Sequence, residues 1–208
     1  MTAAAQSRVR APSRYAWLKP GVLAGSLIPL ALLIWDAAHG TLGADPVAIA
    51  LNRLGLLALI MLLASLSATP ARLVFGWSWL LRLRRMLGVL AFFYASLHVI
   101  VYVAVDQGFD WPAIAKDIAE RKFITMGFAA FVVLVPLALT TPVRVRRWMG
   151  PLRWQRLHRL VYLAGLFAAT HFIWRVKRDL SQPLMYAAVL GVLLLVRLRK
   201  RVPTPRSR

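Results

Sequence analysis

Residues Trp154 to Trp174 read W-Q-R-L-H-R-L-V-Y-L-A-G-L-F-A-A-T-H-F-I-W, an apolar stretch with a histidine near each end. His158 follows an arginine cluster, and His171 stands three residues before the closing tryptophan. A third histidine, His98, lies inside another long apolar run, whereas His39 falls in a connecting segment. An imidazole in a membrane span is costly and marks a proton path, an ion site or a cofactor ligand. Three of them in one short chain call for a shared explanation.

The chain has 208 residues, 60% of them hydrophobic, and its mean hydropathy is +0.63. Apolar residues arranged in long unbroken runs identify a membrane protein. The formal charge of +20 would suit nucleic acid if the basic residues were clustered on one surface. They sit instead at the ends of apolar runs, which is the pattern of membrane topology. With no cysteine, the chain lacks structural disulfides, thiolate-bound iron–sulfur or zinc centres and the covalent attachment of c-type haem. Any metal chemistry must use His, Met or carboxylate. The Gly-rich phosphate loops of nucleotide-binding folds are missing too.

The fold class expected is an all-α integral membrane bundle of six transmembrane helices with both termini cytoplasmic. Its spans are residues 21–38, about 46–68 (closed by Thr69-Pro70), one within 80–105, 123–141, the quoted stretch, and 183–196. Each is long enough to approach the 30 Å or so of a hydrocarbon core. Pro136 is expected to kink the fourth, and residues 114–122 read as a short surface helix. The domain reading is a basic cytoplasmic tail over 1–20, a transmembrane unit over 21–196 and a second basic tail over 197–208. A cleaved signal peptide ending near Asp36-Ala37-Ala38 is the rival reading of the first span. Of the 27 Lys and Arg residues, 20 fall on one side of this layout and six on the other, with Arg53 inside the second span. All seven carboxylates fall on the poorer side. The positive-inside rule then puts the richer side in the cytoplasm. Arg53 reads as a snorkelling side chain, with a partner to a cofactor propionate or phosphate as the alternative.

His98 lies 13 residues beyond Arg85 and His171 lies 12 beyond Arg159. The two should therefore stand at matching depth in helices that run the same way. On the third span Gly88, Ala91, Ala95, His98 and Tyr102 share a face, as do Ala164, Ala168, His171 and Arg175 on the fifth. Small residues leading to an imidazole leave room for something flat and large; close helix packing explains such strips as well. Haem fits best, because b-type iron takes two axial imidazoles from facing helices. Di-iron or zinc would want Glu, Asp or Cys nearby, and a proton relay would want intramembrane carboxylates. His158 is rotated away from His171 on a regular helix. It either serves a second redox group or is an interfacial histidine among arginines.

Four ordered motifs carry a resemblance: R-R-M-L-G-V-L-A-F-F-Y-A-S-L-H (84–98), W-Q-R-L-H-R-L-V-Y-L (154–163), H-F-I-W (171–174) and Q-P-L-M-Y-A (182–187). Together they resemble the haem-binding membrane subunits of bacterial periplasmic protein-methionine-sulfoxide reductase systems, within the ferric-reductase-like transmembrane superfamily. The resemblance implies a multi-pass inner-membrane protein that passes electrons through haem b to a periplasmic molybdopterin-containing catalytic subunit, which repairs oxidised proteins. It also implies FMN, and electrons drawn from the quinone pool or a cytosolic flavin reductase. His98, His158 and His171 fall on the family's motif histidines, the first and last as axial ligands of haem iron. In the wider superfamily a second histidine commonly stands about fourteen residues before the one matched by His98; here that position is Arg84. The chain is thus expected to be an electron-transfer subunit without catalytic residues of its own. A stand-alone ferric or cupric metalloreductase is the alternative, and a transporter or assembly factor that merely uses histidine a further one. Twelve residues follow Val196, too few for a nicotinamide-binding domain, so electrons are expected from a quinol or a separate flavin donor. Arg175, Lys177 and Arg178 are expected beside the exit, toward a propionate or an acidic patch on the partner.

Overall fold

The computed structural model describes residues 17–199, and among them all regular structure is helical. The helices are α1 (Leu18–Ala38), α2 (Pro46–Phe75), α3 (Arg84–Ile100), α4 (Trp111–Glu120), α5 (Lys122–Leu139), α6 (Val143–Met149), α7 (Pro151–His158), α8 (Val161–Arg175) and α9 (Ser181–Arg199). A 3-10 turn, Ser78–Arg82, precedes α3, and a π-helical turn, Val101–Asp106, extends it. Most of both expected tails, 1–16 and 200–208, lies outside the described residues.

Among the described residues five helices are long and apolar enough to cross a membrane: α1, α2, α3 with its π-helical turn, α5 and α9. At most 22% of any such span is buried inside the protein, so their large apolar side chains are left facing outward, as lipid demands. The quoted stretch is not one continuous helix. A turn at Arg159 and Leu160 divides it into α7 and the 15-residue α8, which at about 1.5 Å per residue covers roughly 22 Å. Neither Pro nor Gly makes this break. Arg159 and Leu160 donate to carbonyls three residues back (3.2 and 3.0 Å), while Trp154 Nε1 anchors α7 by donating to the Thr140 carbonyl at 3.0 Å.

Other boundaries moved for local reasons. Asp45 caps α2 by accepting from Ala48 N at 2.9 Å, with Pro46 in the first turn, where no N–H is needed. The helix then runs past Thr69-Pro70 to Gly76, which ends it with φ +73°, a conformation glycine adopts without strain. The expected stop at Pro70 is corrected: α2 is 30 residues long. The surface helix exists but begins earlier, at Trp111, because Asp110 caps it through Ala113 N at 3.0 Å. Arg197, assigned to the carboxyl tail, belongs to α9 and is buried.

The leucine-rich middle of α2 organises the core. Leu59, Leu62, Leu63 and Leu66 pack with Ala91 of α3, Leu134 of α5, Ala164 and Ala169 of α8 and Leu190 of α9. Two tight helix pairs result, α2 with α3 and α5 with α8. α1 joins through a smaller cluster around Leu33, Leu54 and Tyr94, whose hydroxyl donates to the Ser26 carbonyl. The bundle has a basic end, near Arg84 and Arg197, and an acidic end holding the α1–α2 and α3–α5 connections.

Candidate functional site

His98 and His171 face each other across a cavity of about 280 Å³ that both line, near the acidic end. Their ring centroids are 6.2 Å apart with planes at 81°. Each is fixed in the same way. His98 Nδ1 donates to the Leu51 carbonyl at 2.9 Å, and His171 Nδ1 to the Phe123 carbonyl at 2.6 Å. A carbonyl can only accept, so Nδ1 carries the proton and Nε2 keeps its lone pair. This is the second-shell device that sets the tautomer of a ligating histidine.

A glycine makes room for each ring one turn beyond the accepting carbonyl. A Cβ on Gly55 would come 3.3 Å from His98 Cε1 and Nδ1, and one on Gly127 would come 2.7 Å from His171 Nδ1. Leu51 with Gly55, and Phe123 with Gly127, are i, i+4 pairs on one helix face. The carbonyl orients the imidazole and the glycine admits it. These four residues were missed in the sequence, where they read as ordinary span residues. The signal was faint: a glycine inside each partner span, four residues after the position that supplies the acceptor.

The small-residue strips divide by depth. Ala91 and Ala164 are completely buried in the core, and Gly88 faces Ser65, so that part is helix packing. Ala95 and Ala168, one turn from the histidines, line the cavity. The strips thus pack helices at one height and border the cavity at the other. Toward the acidic end the lining turns polar through Tyr102, Asp106, Arg121 and Arg175. The π-helical turn carries Tyr102, whose hydroxyl donates to Asp117 Oδ2 of α4 at 3.2 Å; π turns of this kind recur at functional sites. Arg175 borders the cavity, whereas Lys177 and Arg178 are exposed beyond it. Arg53 does not line the cavity. It pairs with Asp36 at 2.7 Å on the exterior, which decides against a propionate role.

The donor set suits haem. Two imidazoles sharing a metal at about 2 Å each have ring centroids about 6 Å apart, close to the observed spacing. Among the described residues no group of three or more His, Asp or Glu side chains converges. A pair of imidazoles suits a group that would bring further donors of its own, as a porphyrin does.

His158 is not brought to this cavity. It sits at the basic end of α7, stacked on Trp154 with centroids 3.9 Å apart, its Nε2 3.1 Å from Thr140 Oγ1. Burial, and then the Arg84 charge, hold its pKa below the usual imidazole value. His39 stacks on Trp35 at the acidic end and bonds that residue's own carbonyl.

Residues 51–169, which include His98 and His158 but not His171, match the family described as ferric reductase like transmembrane component. A chain from Deinococcus radiodurans named protein-methionine-sulfoxide reductase heme-binding subunit MsrQ is 50% identical over 190 residues, covering 91% of this chain and 94% of that one. A chain of the same name from Rhodospirillum rubrum is 49% identical over 90% of this chain and 88% of its own length. One from Xanthomonas euvesicatoria is 44% identical, over 89% and 88% respectively.

The chain belongs to the ferric-reductase-like transmembrane family.

Likeness to these subunits of that family covers about nine-tenths of the chain. The matched region takes in α5 and α2 from Leu51 onward, and with them both carbonyl–glycine pairs. For this ferric-reductase-like chain, the elements that hold the rings thus lie inside the family region along with His98.

Proposed function

We propose that this protein is the membrane electron-transfer subunit of a protein-methionine-sulfoxide reductase system, in which His98 and His171 would hold haem b. The observation that carries the reading is the facing pair of imidazoles, each with Nδ1 committed to a backbone carbonyl and Nε2 left for the cavity. Haem, when bound, supplies one-electron redox chemistry within the bilayer. The residues of the chain do the rest. Leu51 and Phe123 hold both rings by their carbonyls, while Ala95, Ala168 and the leucines of α2 keep the lining dry. Arg175 presents a cation at the acidic end of the cavity, toward a propionate or an approaching partner.

Both termini lie in the cytoplasm in this reading, and the acidic end faces the periplasm, supported by the 20 to six division of basic residues. α8 then completes a sixth, short crossing, and the membrane is the bacterial inner membrane. Electrons come from quinol or a flavin donor at the basic end and leave to a periplasmic molybdopterin catalytic subunit. His158, stacked on Trp154, belongs to the entry side, where the resemblance puts FMN.

The test is spectroscopic. His98→Ala and His171→Ala should each remove most of the b-type reduced-minus-oxidised signal while the protein remains inserted; full haem content in both variants refutes the ligand assignment. In stopped flow, the pre-reduced protein should reoxidise quickly only with the periplasmic reductase and a methionine-sulfoxide substrate both present. Equally fast reoxidation by ferric chelates alone would make it a metalloreductase instead.

A further inference from the structure

The cavity between His98 and His171 is polar at one end only. Its deep part is walled by Leu59, Leu62 and Leu134, which offer nothing to a charged group, whereas its mouth at the acidic end carries Tyr102, Asp106, Arg121 and Arg175. Arg175 follows His171 by four residues on α8, and Tyr102 follows His98 by four along α3 and its π-helical turn. Each ring is therefore succeeded, about one turn nearer the mouth, by a long polar side chain on the same face.

The two arginines are engaged to different degrees. Arg175 is half-buried and makes no hydrogen bond or ion pair among the described residues. Arg121 stands at the junction of α4 and α5, its backbone N–H donating to the Asp117 carbonyl at 3.0 Å. Its side chain spends only Nε, which pairs with Asp117 Oδ1 at 3.1 Å; both Nη groups have no partner among the described residues. The carboxylates nearby are already in use. Asp117 accepts from the Tyr102 hydroxyl through Oδ2 at 3.2 Å, and Asp106 accepts from Gln107 Nε2 at 2.9 Å. A guanidinium drawn out of water without a counter-charge is unfavourable, so Arg175 calls for an anion from outside the chain.

Haem brings two such anions, the propionate carboxylates on one edge of an apolar macrocycle. That edge cannot point into the leucines without burying two unpaired charges. At the mouth it meets guanidinium groups, whose N–H fork matches a carboxylate with two parallel hydrogen bonds. We propose that Arg175 and Arg121 bind the two haem propionates, so that the charged edge of the cofactor faces the acidic end of the bundle. The proposal rests on the axial assignment of His98 and His171, and it gives Arg175 to the cofactor rather than to an approaching partner. Arg175, the more buried, carries the larger share. Arg121, with a side chain 59% exposed and already paired with Asp117, carries the smaller.

Full-length protein produced without haem and held in mild detergent would be titrated with protohaem and, separately, with protohaem dimethyl ester, whose propionates carry no charge. Soret absorbance reads the binding. Wild type should prefer the free acid. Arg175→Gln should weaken protohaem by about tenfold, the loss of a charge-assisted pair, and leave the ester unchanged. Arg175→Lys, which keeps the charge, should recover part of that loss, and Arg121→Gln should act in the same direction as Arg175→Gln by about threefold. Lys116→Gln, an exposed charge on α4, should change neither titration. Equal weakening of both forms by Arg175→Gln would show a structural role only, and unchanged protohaem binding would leave the cation to the partner; either result overturns the proposal. Should Arg175→Gln fail to insert, Arg175→Lys and Arg121→Gln decide by the same ratio of acid to ester. Uptake of neither form by wild type would instead overturn the axial assignment, and the proposal with it.

Discussion

At the scale of single residues, the two glycines beside the histidines make an unequal pair, and the inequality is testable. Replacing Gly with Ala inside a helix ordinarily stabilises it by up to about 1 kcal/mol, so any loss at these positions must come from the space the Cβ occupies. On Gly127 that Cβ would be 2.7 Å from His171 Nδ1, a distance that forces the ring off the Phe123 carbonyl. On Gly55 the nearest ring atoms are 3.3 Å away, and a displacement of a few tenths of an ångström accommodates it. Gly127→Ala is therefore expected to lose more than half of the bound haem, and Gly55→Ala to keep most of it with a shifted spectrum. Pyridine haemochrome assays on both variants check this; equal retention would show that the carbonyl contacts do not govern ring placement. Arg53 yields the opposite expectation. Its ion pair with Asp36 is about half exposed, and such pairs contribute up to about 1 kcal/mol. Arg53→Gln should lower thermal stability slightly and leave haem content intact, as measured by melting and absorption together.

Elements depend on their caps and junctions. Asp179 accepts from the Ser181 hydroxyl at 2.6 Å and the Ser181 backbone N–H at 2.9 Å, and these bonds hold its carboxyl below the usual range. A depressed carboxylate contributes stability that is present above its unfolded value of about 4 and is lost as pH falls through the lower folded value. The first turn of α9 should stay ordered at neutral pH and fray only in strong acid, whereas Asp179→Asn should fray it already at pH 7. Hydrogen exchange in the peptide spanning residues 180–186, corrected for intrinsic rate, reads the difference. The division of the quoted stretch into α7 and α8 is also an element-scale event. It frees His158 from the face that α8 presents, which is why a straight-helix rotation could say that His158 and His171 diverge but not where His158 would go.

For the molecule as a whole, the division of charge sets orientation. Reporter fusions after Gly40, Asp110 and Asp179 should report the periplasm, and fusions after Gly76 and Arg147 the cytoplasm. The fusion is placed after Gly76 because α2 continues to Phe75. The Asp179 fusion matters most, since it asks whether the 15-residue α8 crosses; a cytoplasmic signal there with the others as expected would make α8 re-entrant. The two tight pairs, α2 with α3 and α5 with α8, present their histidines alike, with carbonyl and imidazole 47 and 48 residues apart in the chain. No repeat is visible in the sequence, because backbone carbonyls need no particular side chain.

Hydrophobic run length and the placement of Lys and Arg were enough, without any tertiary contact, to establish a helical membrane bundle and to propose its orientation, since lipid imposes both one residue at a time. Counting residues from the flanking arginines also put His98 and His171 at one depth, because helical rise is constant. What the sequence could not contain was the packing. The carbonyls that fix the imidazoles and the glycines that admit them belong to helices nearly fifty residues away. The break at Arg159 has no breaker residue to announce it. Arg197 is buried by Tyr162 and Leu66, although its place in a run of basic residues reads as a solvated tail. Such features arise only when helices distant in the chain are brought into contact.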